Sequence, residues 1–401
     1  MVTNDPVPDG NAVLAYRNDG AGNLSPLPDL PFKTGGTGYA TQHVLPHFGP
    51  FDLDQNLMLS ANGSRLFATN GGSDSIAVFD ILDDGRLEPV PGSPFSSGGK
   101  NPVSIGFACD KLYVINKNDD PGREMRGSKP NYTGFRIEVN GRLTPIPGST
   151  VELETPWRSP TQALVVDEKF IYDEDFGSFC VPAGVARWGE KLRNERPTLI
   201  RSMRIRADGS LKQLPPLEAP DGAFESGPNT TEGDKPDPLI FGLRAHPTEK
   251  LVYISYVTGD RLGVYEYDDS GRLNFIGMTS NSGKLICWIV INKTGRRAYT
   301  TNNASNTLSV YDLSNPRRPV EMTAIDLKGH GHPAQLALSS DNHRLYIVKN
   351  RTFHETPIGD GSVLNVLRVL PDGTVKEVGP SPVTLPVRDD LLARPQGVAA
   401  H

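Results

Sequence analysis

Three groups of residues have types and spacings that could do chemistry. The phrase GHGHP sets His330 and His332 two apart beside Pro333. In extended chain alternate side chains return to one face, so both rings can look the same way. With His47, or with His354, they could hold a divalent metal such as Zn or Fe, to which Glu174 or Asp173 would add an oxygen. The alternative to a metal site is a hydrogen-bonding loop, and a histidine of the pair could also carry a proton. The second group is the run Asp173, Glu174, Asp175. Crowded carboxylates raise one another's pKa, which would let Glu174 or Asp173 act as a general base on water or on a carbon acid, unless the run is a hydrated loop edge. The third is TPWRSP, where Arg158 could anchor a carboxylate or phosphate in bidentate fashion and Trp157 could supply an apolar wall. Pairing of Arg158 with Glu154 is the structural alternative. Gln162, Lys284, Arg394, Tyr256 and Asn302 complete the candidate substrate contacts, Tyr256 and Asn302 standing where strands are expected to end.

Such dispersed residues need a scaffold that gathers them. The 401 residues include 41 Gly and 35 Pro, too many breaks for numerous long helices, while 37% hydrophobic and 22% charged residues suffice for a sizeable core. The net charge is −6 without a Lys/Arg-rich run, which argues against a nucleic-acid partner. No apolar run is long enough for a membrane span. Cys109, Cys180 and Cys287 are odd in number and widely spaced, so neither a disulfide framework nor a Cys-x-x-Cys site is expected. The opening MVTNDPVPDG lacks signal-peptide character, which suggests a cytoplasmic protein, or a secreted or periplasmic one whose leader has been removed. Gly-x-Ser-x-Gly is absent, and the GGTG and SSGGK stretches follow strands and open no helix, so they are turns and not phosphate cradles.

One four-part phrase recurs along the chain. Its clearest copy is PVSIGFA, KLYVINK, YTGFRIEV, GRLTPIPG, preceded by LMLSANG, RLFATNG, SIAVFDI, GRLEPVPG. Each part is short, rich in Val, Ile, Tyr and Phe, and closed by Asp-Gly, Asn-Gly or Gly-Arg turns, as antiparallel strands require. The second parts end at Asn70, Asn116, Asp173, Tyr256, Asn302 and Lys349, at a base period of about 46 residues. Four strands at that period make one propeller blade. The expected fold is therefore all-β: a seven-bladed β-propeller with four antiparallel strands per blade, forming a single domain over 1–401. Six blades are complete, and the seventh takes strands two to four from MVTN, AVLAYR and NLSPLP and its first strand from RPQGVAA, closing the ring with both termini. Residues in excess of the period are expected to leave as insertions at about 118–130, 178–197, 221–236 and 351–361. The second of these carries Trp188 and several basic residues that could form a lid, or else a surface loop.

The segments YVIN, FATN and MVTN, with DGRLEPVPGSPFSSGGKNP echoed by GNLSPLPDLPFKTGGTG, resemble the YVTN-repeat lactonase family of seven-bladed propellers, which includes 6-phosphogluconolactonase and the carboxymuconate lactonising enzyme. The resemblance runs over essentially the whole chain and implies a site at the channel mouth built from a His, two Arg and a Glu. Here those positions fall on Gln162, on or near Phe241, near Val257 and near Asn303, and none carries the family residue. What the resemblance implies is an enzyme opening or forming a lactone-like or small anionic metabolite, a carbohydrate or aromatic derivative, as a hydrolase or cycloisomerase. Arg158, Lys284 and Arg394 would hold negative charge while Glu174, Asp173 or a histidine of GHGHP moves the proton. No cofactor is expected. The competing expectations are a non-catalytic propeller that binds a protein or small ligand on its rim, and a metal-dependent enzyme using His330, His332 and His47.

Overall fold

The protein is described by a computed structural model that covers residues 1–39, 54–118, 128–156, 158–176, 198–224, 239–351, 360–388 and 393–400. The expected insertion at 178–197, with its Trp188, lies outside these residues, as do most of the other three insertions, Trp157, His47 and His354.

Six antiparallel sheets follow one another along the chain, and the 3-10 turn Val257–Gly259 is the one helical element among the described residues. Each sheet is a simple meander whose first strand lies innermost. The second sheet shows the pattern: Pro102–Ala108, Lys111–Asn116, Asn131–Ile137 and Leu143–Pro145, with Val151–Glu152 returning to pair on the third strand. This is a propeller, and the repeat phrase maps onto its sheets part by part. The terminal segments form two-stranded ladders, Ala12–Val13 with Phe32–Lys33 and Tyr16–Asn18 with Leu24–Pro26. Val2 bridges both Val13 and Gln396, and exchanges N–H···O bonds of 2.8 and 2.9 Å with Gln396.

The sequence phrase also contains the devices that hold neighbouring sheets together. The second strand carries a tyrosine whose hydroxyl donates to a carbonyl in the outer turn of the following sheet: Tyr113 to Gly209, Tyr172 to Gly271, Tyr253 to Pro316 and Tyr299 to Gly373, at 2.7–3.3 Å. Three residues on stands the repeat asparagine. Asn116 donates to the Ser97 carbonyl, to Asn131 and to Thr133, and Asn302 donates to Thr307 and Ser309, so both tie the strand end to its own sheet. Lys349 fills that position in the sixth sheet, its ammonium donating to the carbonyls of Lys328 and Gly329 in the link from the fifth sheet.

These landmarks correct one expected register. In the third sheet Tyr172 is the repeat tyrosine, so the strand-end position falls on Asp175, whose N–H bonds Leu199, and not on Asp173. A slip of two residues keeps every side chain on its own face, which is why alternation in the sequence could not exclude it.

Candidate functional site

The first strands line the axis, and most of them are bulged there: the pairing register shifts between Pro102 and Ser104, Ile240 and Leu243, Ile286 and Ile289, and Pro333 and Leu336. A bulge re-aims side chains, and here it delivers polar and aromatic groups toward the channel. Gln162 donates to Gln55 Oε1 at 2.6 Å and to the Leu243 carbonyl at 3.0 Å, and accepts from the Leu243 N–H at 2.6 Å. Gln55 crosses to the second sheet, donating to the Ile105 carbonyl. On the other side Gln335 accepts from the Gly397 N–H. Side-chain amides thus tie the inner segments of several sheets together. Beside them Asp54 is buried, one oxygen held by the Gln55 N–H and the other without a partner among the described residues. Burial pushes its pKa up to about 6, against the pull of the Arg244 guanidinium.

Adjacent residues of a strand face opposite ways, and Phe170–Glu174 uses this at its end. Asp173 turns toward the preceding sheet. Its Oδ2 accepts from the Tyr132 hydroxyl at 2.5 Å, and its Oδ1 accepts from the N–H groups of Thr161 and Gln162 at 2.9 and 3.1 Å. Glu174 turns toward the following sheet, fully buried. Its Oε1 accepts from the Thr161 hydroxyl at 2.7 Å and from the Gly242 N–H at 3.0 Å, and its Oε2 has no partner among the described residues. Gly242 is required at this point: φ is +83°, and a Cβ would stand 2.5 Å from the Cys287 carbonyl oxygen. Burial first, then the neighbouring Asp173 charge, drive the Glu174 pKa well above the usual carboxylate range. Burial raises Asp173 as well.

Arg158 does not stand free. Its guanidinium pairs with Glu154 at 2.6 Å and Asp175 at 3.2 Å, and the buried Arg201 bonds the same two carboxylates. Burial works to raise Glu154, but hydrogen bonding and charge from Arg201 outweigh it and bring its pKa down to about 2. Of the residues expected to bind substrate, Gln162 lies on the axis, Arg394 is buried and Lys284 is exposed. Tyr256 sits in the apolar core with its hydroxyl on Tyr265 at 2.5 Å, and Asn302 is the strand-end tie already described.

The two histidines of GHGHP diverge. Gly331 between them has φ +88°, which interrupts the extended backbone that would put both rings on one side. His330 is exposed and 3.7 Å from Asp360, whereas His332 sets its Nδ1 2.9 Å from the Asn303 carbonyl, and burial lowers its pKa. Among the described residues no group of three or more His, Cys, Asp or Glu side chains is placed to hold a metal ion.

Several residues at the axis carry no motif and escape sequence reading. Asp54 and Arg244 are single charges in unremarkable contexts. Phe176, Phe241 and Trp288 form an edge-to-face series with centroid distances of 5.4 and 4.9 Å, and the Lys117 ammonium lies 5.9 Å from the Phe176 centroid. Lys117 directly follows the repeat asparagine of KLYVINK, and Phe176 occupies the same place after Asp175. That shared position was the signal available for both.

Residues 207–344 match the model of the family described as lactonase, 7-bladed beta-propeller. Among solved structures, a candidate 6-phosphogluconolactonase of Bacteroides uniformis is similar at 14% identity and TM-score 0.61, over 81% of this chain and 83% of that one. The periplasmic gluconolactonase of Pseudomonas aeruginosa aligns at 21% identity and TM-score 0.56, over 76% and 77%. A hypothetical selenium-binding protein of Sulfolobus tokodaii aligns at 13% identity and TM-score 0.58, over 96% and 90%. No curated protein matches the chain. By sequence pattern over 207–344, and by fold over most of its length, the protein resembles the lactonase propellers; at these identities the structural likenesses speak for architecture and not for activity.

Proposed function

We propose that the protein opens a small lactone at the mouth of its channel, with Glu174 moving the proton. The observation that carries this reading is the Glu174 carboxyl: one oxygen is fixed by Thr161 and Gly242, the other is buried and unpaired, and the pKa is displaced upward. Perturbed carboxyls of this kind mark acid–base sites. In its ionised form Glu174 takes a proton from water as the water oxygen bonds to the lactone carbonyl carbon. The ring C–O bond then breaks, and its oxygen leaves as a hydroxyl carrying that proton. Lys117 attracts the substrate's anionic group, and Phe176, Phe241 and Trp288 supply an apolar flank for its ring. The names of the structural neighbours support a sugar lactone or its phosphate as the first class to try. Glu174→Gln tests the reading: turnover of 6-phosphogluconolactone, gluconolactone or an unsaturated aromatic-derived lactone should disappear while melting is kept.

In the same reading the terminal ladders and the Val2–Gln396 bridge make up a seventh blade closing the ring, in keeping with the family's seven-bladed description.

The departure of Gln162, Phe241, Val257 and Asn303 from the family's residues favours a second reading, a propeller that binds a ligand without turning it over. Calorimetric binding of a lactone with no hydrolysis would select it.

A further inference from the structure

Four of the six sheets blunt their outer edge in one way. A three-residue fourth strand stops, a turn containing proline follows, and a two-residue strand folds back onto the third: Leu87–Pro89 then Phe95–Ser96, Leu143–Pro145 then Val151–Glu152, Leu211–Gln213 then Leu217–Glu218, and Val375–Glu377 then Val383–Thr384. Short strands and prolines are how proteins keep sheet edges from pairing with other chains. The fourth and fifth sheets lack the device. Their outer strands, Leu273–Ser280 and Val320–Asp326, run for eight and seven residues without proline, each with one extra residue, Ile276 and Met322, against its inner partner. These neighbouring edges also carry three of the four large apolar side chains found exposed, with Val320 at 61%, Met322 at 42% and Phe275 at 38%.

We infer that Val320–Asp326 is a homodimer interface, pairing antiparallel across a two-fold axis with the same strand of a second copy of this chain. Charge fixes the register. Arg318 and Asp326 are exposed and have no ion-pair partner among the described residues. Centring the pair on Met322 sets Val320 opposite Ala324 and Met322 opposite itself, and brings Arg318, in the turn just before the strand, to the end that carries Asp326 of the second copy. Centring it on Thr323 would set Arg318 opposite Lys328 and Val320 opposite Asp326, like charge on like charge and apolar on charged. Facing pairs of opposite charge stabilise an antiparallel ladder and like charges destabilise it. The two-fold gives a closed dimer, and each copy's edge is covered by the other.

Sedimentation velocity over a wide concentration range tests the inference. Wild-type protein should show a concentration-dependent dimer; Arg318→Asp or Asp326→Arg should each shift it to monomer, and the double variant should restore it. Met322→Cys should cross-link its own kind on mild oxidation. A wild-type monomer at every concentration overturns the inference, and so does a dimer that ignores both single reversals, since it would use another surface. Retained melting temperatures show that these exposed substitutions have not unfolded the chain.

Discussion

Replacing Glu174 by Gln or by Ala separates what its carboxyl does for folding from what it does for chemistry. Gln keeps the volume and keeps an acceptor for the Thr161 hydroxyl and the Gly242 N–H, so its cost to the fold should be under ~1 kcal/mol. Ala strands both buried donors, at about 1–3 kcal/mol each, and should destabilise by roughly 2–6 kcal/mol before any cavity is counted. Activity should fall in both, by ~10²–10⁴-fold for a lost acid–base group. The pH dependence provides an independent check. Because the folded pKa is raised, the unfolded chain ionises first as pH climbs past the ordinary carboxylate value, and the wild type loses about 1.4 kcal/mol of stability per pH unit for this group until the folded carboxyl also ionises. Glu174→Gln has no such loss, so its stability relative to wild type should improve from pH 5 to pH 7 in urea titrations. Full turnover in Glu174→Gln, or a difference between the two proteins that is flat with pH, would refute the reasoning.

Hydrolysis should rise with pH through the displaced Glu174 ionisation, since the ionised form is the base, and a rate profile falling over that window would reverse the assigned role. Changing Tyr113, Tyr172, Tyr253 and Tyr299 together to Phe should cost about 4 kcal/mol, one hydrogen bond each in four separate sheets, which for a chain of this length is a Tm drop of ~5 °C by calorimetry. Arg201→Met should cost about 3–5 kcal/mol by leaving Asp175 and Glu154 short of their buried cation, with the loss shrinking toward low pH as Glu154, brought down to about 2 against its burial, is protonated. Asp260, raised to about 6 by burial, contributes least above that pH, so Asp260→Asn should gain stability on wild type between pH 4 and pH 6 and hold the gain above; no gain at neutral pH would contradict the burial assignment.

The propeller was legible because its devices are local. A tyrosine three residues before an asparagine, and a Gly-Arg-Leu turn before an outer strand, each fix one contact with the same or the next sheet and recur at a readable period. The site was only partly legible. The DED run pointed to Glu174, but which carboxylate turns to which sheet depends on the register of a divergent copy, and that register is set by the Tyr172 hydroxyl across the sheet boundary and not by anything within the run. Arg158 looked like a ligand anchor because Asp175, which pairs with it, and Arg201, which shares that carboxylate, stand far from it in sequence. GHGHP looked like a pair because alternation assumes extended chain, and Gly331 breaks it. Asp54, Arg244 and the aromatic series have meaning only around an axis, where residues far apart in sequence become neighbours.

The bond between Val2 and Gln396 also sets the order of events during synthesis. Every other sheet can form from hairpins as soon as its own few dozen residues have emerged, and each can latch onto the one before it. The outer edge of Val2, by contrast, whose other side pairs with Val13, has to wait until Gln396 has been added, nearly four hundred residues later. Until then that edge of the terminal ladder has no partner strand. Chaperone dependence and sensitivity to slowed translation should therefore concentrate at that single joint.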